Sequence, residues 1–209
     1  TIALDLFGAV YQNFGESLRA GFFQVSSVIS TTGFASTDFN LWPQYSRTLL
    51  VVLMVIGACG GSTGGGVKVA RVILLFKNLC REIHRFVHPR SVRVITLGGK
   101  KVEEDTIRGL HFFLGLYMVI VVLSVLLLSL EGHSMETNLT AVLATINNIG
   151  PGLDMVGPIA NFDFFSPLSK LVLIFNMLAG RLEIIPIIAL FSPSIWRAGR
   201  SNGQKRVSV

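Results

Sequence analysis

The chain has 209 residues, 51% of them hydrophobic and 14% charged, where a soluble domain carries roughly 25% charged residues; its mean hydropathy is +0.62. That composition excludes an ordinary soluble enzyme and places the chain in a membrane. The 18 basic and 12 acidic residues leave a net charge of +6, so a nucleic-acid reading must first be weighed against membrane topology.

The sequence opens at Thr1 without an initiator methionine or a basic-then-apolar signal segment, and it reads as part of a longer protein. Leu18 to Ser30 is moderately apolar, rich in Ser and Thr, and too short to span; it leads into Ser30-Thr31-Thr32-Gly33-Phe34. A short helix over 18–30 followed by a glycine turn over 31–35 is the pattern of a re-entrant pore loop. The apolar run from Thr48 meets Gly60, Gly61, Ser62, Thr63, Gly64, Gly65 and Gly66 before apolar residues resume, which predicts a broken spanning helix over 46–85. Segment 86–109 is a basic connector with Gly98-Gly99-Lys100-Lys101 at a hairpin tip, a docking surface for a regulatory partner or anionic lipid at most. Leu110 to Leu130 has no formal charge over 21 residues, enough at about 1.5 Å per residue to cross a hydrocarbon core of roughly 30 Å. A second short helix, 135–147, ends at Asn147-Asn148-Ile149-Gly150-Pro151-Gly152, with the turn over 148–152. A second broken helix is expected over 168–191, interrupted by Gly180, Arg181, Glu183 and Pro186, and 192–209 is a tail. Backbone that leaves helical geometry at membrane depth must be buried in protein or line a water-filled cavity, so both breaks point toward a permeation pathway.

These parts form a repeat. Gly33 and Gly150 are 117 apart, while Arg47 with Gly57 and Lys170 with Gly180 match at an offset of 123; the difference falls in the loop after the second turn, where insertions are cheap. The order is one unit over 1–85 lacking its first helix, then a complete unit over 110–191. With both turns outside, 67–109 and 192–209 hold 14 of the 18 basic residues, as the positive-inside rule requires. The positive balance is thus topological, and no folded basic domain accompanies it, so nucleic acid is not an expected partner.

Gly60 to Gly66 imitates a phosphate loop, but position 66 is Gly rather than Lys and 67 is Val rather than Ser or Thr, so the Walker pattern fails. A packing kink or a flexible intramembrane loop are the readings left. Arg181 costs at least about 2.5 kcal/mol to insert, so it faces a cavity or a partner; it is either a structural brace or a charge in the pathway. Cys59 and Cys80 sit in or beside apolar runs and are expected as buried thiols. His84, His88, His111 and His133 have no metal spacing, Asn138-Leu139-Thr140 is an incidental sequon, and no nucleophile, base and orienter set emerges. An enzyme is not expected, although an intramembrane enzyme or substrate-binding subunit that uses broken helices stays open as the alternative.

The strings STTGF, GACGGSTGGGVK, NNIGPG and AGRLE, in that order, closely resemble the C-terminal half of potassium-uptake transporters of the TrkH/KtrB type. The resemblance implies an all-α integral membrane fold, with this chain supplying half of a pseudo-fourfold, potassium-channel-like pore: most of the third repeat and all of the fourth. It implies potassium as substrate, no organic cofactor, and a filter of backbone carbonyls from Thr31, Thr32, Gly33 and Phe34 and from Asn148, Ile149, Gly150 and Pro151. Glycine takes the partly left-handed backbone such carbonyls require; capping of the short helices is the plainer role for Gly33 and Gly150, and a sodium-permeable member of the family is a further alternative. The resemblance makes Gly60 to Gly66, with Arg181 beside them, a gate below the filter. The implied partners are the N-terminal half of the same polypeptide, a second copy in a homodimer, a cytosolic nucleotide-binding ring of the TrkA/KtrA type, and the lipid of a plasma membrane, the bacterial inner membrane, crossed several times.

Overall fold

The computed structural model describes residues 1–60, 62, 64–88 and 94–181. Seven helices lie in them: α1 (Ile2–Leu6), α2 (Phe14–Ile29), α3 (Gln44–Ile56), α4 (Val69–Val87), α5 (Glu104–Ser129), α6 (Met135–Ile146) and α7 (Pro167–Arg181). Short 3-10 turns occupy Phe39–Leu41 and Asp154–Val156, and a hairpin of β1 (Thr96–Leu97) and β2 (Lys100–Lys101) sits between α4 and α5.

Helix starts follow capping chemistry rather than the onset of apolar sequence. The first short helix begins at Phe14, ahead of the expected position 18, because the Asn13 side chain accepts the Gly15 N–H at 3.0 Å and Glu16 lies in the first turn. Likewise α5 begins at Glu104 rather than Leu110, with Glu104 and Asp105 in its first turn. At 26 residues it is about 39 Å long, so it outruns the hydrocarbon. Its buried residues Leu110, Phe113, Tyr117, Val121, Ser124 and Leu128 make one stripe, while Phe112, Met118, Val122 and Leu126 are exposed on the rest of the surface. Such an apolar outer face suits lipid. Among the described residues this is the helix long and apolar enough to cross a membrane unbroken.

The interruption expected in the first spanning helix lies between Ile56 and Val69. Gly57 stops α3 by turning to φ +68°, and α4 resumes after Lys68 at φ +71°. By contrast, α7 stays helical through Gly180 and Arg181, so the chain does not break at Gly180 itself. The remainder of that segment, with Glu183, Pro186 and the tail 192–209, lies outside the described residues.

The connector is the hairpin expected from Gly98-Gly99, whose φ values of +57° and +79° suit a two-residue turn with both central residues left-handed. Ile95 packs with Leu74, Ile107 and Leu110, and Lys77 donates to the Thr96 carbonyl at 2.7 Å, which seats the hairpin on α4 and α5. One sequence expectation is corrected: Cys59 and Cys80 are exposed rather than buried. Cys59 belongs to the non-helical interruption, and Cys80 follows the buried residues Leu74 and Asn78 off the packed face of α4.

Two cores hold the repeats together. Ile2, Leu6, Val28, Phe39, Trp42, Leu50 and Met54 form the first, and Ile149 and Leu153 of the second glycine turn enter it. The second gathers Phe113, Tyr117, Val142, Ile146, Phe165 and Leu173 around α5, α6 and α7, with Val67 contributed by the first repeat. Each core thus takes residues from the other repeat. Helix α1, which no sequence signal announced, buries Ile2 and Leu6 against α2 and α3.

Candidate functional site

The glycine turns follow the C-termini of α2 and α6, and the two turns are built alike. Ser30 N–H donates to Ser26 O, Thr31 N–H to Val28 O and Thr32 N–H to Ser27 O; Asn147, Asn148 and Ile149 repeat these bonds to Leu143, Thr145 and Ala144 at the same offset of 117. Backbone conformation repeats as well: Thr31 and Gly33 have φ of 58° and 72°, and Asn148 and Gly150 have 55° and 105°. Left-handed residues at alternate positions take both turns out of regular strand geometry in the same way. Thr31 is β-branched and strained at positive φ, a cost typical of functional sites. Both turns lie at the partially negative ends of their helices, a favourable place for a cation.

Space separates the two glycines. A Cβ on Gly33 would overlap the Ile149 carbonyl oxygen and lie 3.1 Å from Pro151 Cδ, whereas a Cβ on Gly150 meets nothing within 4 Å. Gly33 is therefore required both for its φ and for the close approach of the turns. Ser27 Oγ donates to the Phe34 carbonyl at 2.6 Å, tying the outer end of the first turn to its helix. In the second, Thr140 Oγ1 accepts from Leu153 N at 3.0 Å.

The glycine run folds back on α3 and reaches both turns. Val67 N–H donates to Val55 O and Val69 N–H to Ala58 O, and a Cβ on Gly57 would stand 2.8 Å from Gly65 O. A Cβ on Gly64 would stand 2.8 Å from Thr31 Oγ1, and one on Gly65 would overlap the Asn147 carbonyl oxygen. So Gly64 and Gly65 lie against the helix-proximal start of the two turns, where a side chain on either has no room. Gly60 lies near Ala70, Ser62 Oγ donates to Cys59 O at 2.8 Å, and Gly66 has φ +86°. Gly61 and Thr63 lie outside the described residues. Arg181 ends the described part of α7, directly after Gly180, where a Cβ would overlap the Ile146 carbonyl oxygen.

Sequence reasoning named Asn148 for its carbonyl but singled out neither Tyr117 nor the pair Ser124 and Asn176. Buried Tyr117 donates its hydroxyl to Asn147 Oδ1 at 3.1 Å, Asn148 Nδ2 donates to Met177 O at 3.1 Å, and Ser124 Oγ donates to buried Asn176 at 3.1 Å. The adjacent asparagines Asn147 and Asn148 were a usable signal, since polar amides inside an apolar segment need partners. Arg47 pairs with Glu136, bridging α3 and α6. The Ser134 and Thr137 hydroxyls hold the Asp154 carboxyl below the ordinary aspartate range. No group of three or more His, Cys, Asp or Glu able to hold a metal ion occurs among the described residues.

The profile of the TrkH family of cation transport proteins matches residues 9–198. This chain belongs to the TrkH family. Trk system potassium uptake protein TrkH of Salmonella typhimurium is 39% identical over 91% of the chain and 39% of that protein, and TrkG of Escherichia coli is 35% identical over 85% of the chain and 36% of its own length. The crystal structure of the potassium transporter TrkH from Vibrio parahaemolyticus superposes with a TM-score of 0.83 at 36% identity, covering 93% of this chain and 42% of that one. The TrkH-family chain described here thus spans about two fifths of the relatives it matches. Its helical, membrane-integral architecture is the one expected from the sequence.

Proposed function

We propose that this chain forms half of a potassium-uptake pore, with the N-terminal half of the same polypeptide supplying the other half. One observation carries the reading: two glycine turns with the same hydrogen bonds and the same alternating left-handed backbone abut at Gly33 and Ile149. Carbonyls of Thr31, Thr32, Gly33 and Phe34, and of Asn148, Ile149, Gly150 and Pro151, replace the hydration shell of the ion. A carbonyl has two lone pairs, so Phe34 accepts from Ser27 and still presents one to the pore. Gly60 to Gly66 close the path beneath the filter. Arg181 places a positive charge near that barrier, which disfavours a cation resting there. The pore works in a bacterial inner membrane as a homodimer, regulated by a cytosolic nucleotide-binding ring of the TrkA/KtrA type. An enzyme would have no use for two matched turns at corresponding repeat positions.

The test is the reversal potential of the intact polypeptide in bilayers with opposed potassium and sodium gradients. A potential near that of potassium is expected; one that follows sodium equally, or no ion current, overturns the proposal.

A further inference from the structure

Beyond the filter the two chain segments leave their turns and meet again at a contact with no part in carbonyl coordination. Asn40 lies seven residues after Gly33, and Asp154 four after Gly150. The Asn40 side chain holds the Asp154 backbone at both ends: Asp154 N–H donates to Asn40 Oδ1 at 2.9 Å, and Asn40 Nδ2 donates to Asp154 O at 3.1 Å. Both partners are themselves fixed. Asn40 lies in the 3-10 turn Phe39–Leu41, which buried Phe39 anchors, and its own N–H donates to Asp38 Oδ1 at 3.0 Å. Asp154 takes a left-handed φ of 57°, and its carboxylate accepts from Ser134 Oγ at 2.5 Å and Thr137 Oγ1 at 2.7 Å, at the start of α6. Gly157 leaves room for the amide, since a Cβ there would overlap Asn40 Nδ2. Its φ of −64° is open to any residue, so only the asparagine explains the need for glycine.

We infer that Asn40 is a positioning residue for ion selection: its paired hydrogen bonds to the Asp154 backbone set the separation of the neighbouring filter turns from the outer side. The inference rests on the pore reading above. Gly33 and Ile149 touch at the level of the filter, but a contact of two backbones sets only how close they come. The Asn40 amide, with a donor and an acceptor engaged at once, also sets their register, because sliding either segment breaks one bond of the pair.

The experiment measures potassium over sodium permeability, total flux and melting temperature for the intact polypeptide in liposomes, as wild type, Asn40→Ala, Gly157→Ala and the double variant. Asn40→Ala, which removes both bonds, and Gly157→Ala, which displaces the amide that makes them, are each expected to lower the permeability ratio at least about fivefold, the equivalent of one net hydrogen bond. The double variant should fall no further than Asn40→Ala alone, because Gly157→Ala acts by displacing the amide. A lowered melting temperature with an unchanged ratio would make the contact a structural staple and overturn the inference, as would additive losses. Where Asn40→Ala does not assemble, Gly157→Ala decides by its ratio alone. A wild type without potassium preference fails before any variant is read; that result overturns the pore reading and this inference with it, whereas a selective wild type with unmoved variants overturns the inference only.

Discussion

Replacing Gly33 by alanine is expected to damage selectivity far more than the same change at Gly150. Both residues have positive φ, +72° and +105°, and an L side chain in such backbone costs about 1–3 kcal/mol. That part is common to the two sites. The steric part is not, since a Cβ on Gly33 would overlap Ile149 O, with Ile149 C at 3.0 Å and Pro151 Cδ at 3.1 Å, while Gly150 has no neighbour within 4 Å. Relief at Gly33 requires the two turns to part by roughly 1 Å, twice the roughly 0.5 Å within which a functional constellation must be held. In the proposed filter the ring of carbonyls would then open, and potassium would lose the coordination that offsets its dehydration. Gly33→Ala should bring potassium and sodium permeabilities close together, Gly33→Ser likewise, whereas Gly150→Ala should keep a reduced preference for potassium. Reversal potentials in mixed potassium and sodium, on protein that assembles normally, decide the matter. Equal losses at the two positions, or a larger loss at Gly150, would refute the argument that the approach of Gly33 to Ile149 sets the filter.

Deleting several residues of Gly60–Gly66 should raise ion flux through purified protein in liposomes, because the barrier goes while the filter carbonyls stay. Arg181→Ala should raise it modestly, since a unit charge about 6 Å from a cation at an effective dielectric near 20 repels by at most about 3 kcal/mol; a fall in both variants ends the gate hypothesis. Cysteines introduced at Lys100 and Asp163 should label from opposite sides, the former only after permeabilisation, and labelling of both from outside would reverse the charge-based orientation. The Asp154 carboxyl, held below the ordinary range by Ser134 and Thr137, binds a proton less readily in the folded than in the unfolded chain. Its contribution is therefore present above about pH 3.9 and lost as pH falls below that value. The melting-temperature difference between wild type and Asp154→Asn should hold from pH 7 down to about pH 4 and shrink only on acidification below about pH 3.9; a difference that grows there would contradict the assignment.

Local and periodic features were legible in the sequence: the uncharged run in α5, two short polar-apolar helices ending at glycine turns, the interruption after Ile56, and the offset of 117 that relates the turns. Each depends on residues close together in the chain or on a repeated spacing, which is why a linear reading finds them. Helix starts were legible only in part. Membrane partition marks where apolar residues begin, whereas Asn13, by accepting a free N–H, and the pair Glu104 and Asp105, by complementing the helix dipole, begin the helices ahead of that point. Tertiary structure alone decided which glycines are needed for room. Gly33 is pressed against Ile149, Gly65 against Asn147, Gly157 against Asn40 and Gly180 against Ile146, and in three of these four pairs the partners come from different repeats. The same holds for the exchange of core residues, with Ile149 and Leu153 buried in the first repeat and Val67 in the second. A glycine looks the same in sequence whether it turns the chain or admits a neighbour, because the neighbour is brought there by the packing of the whole fold.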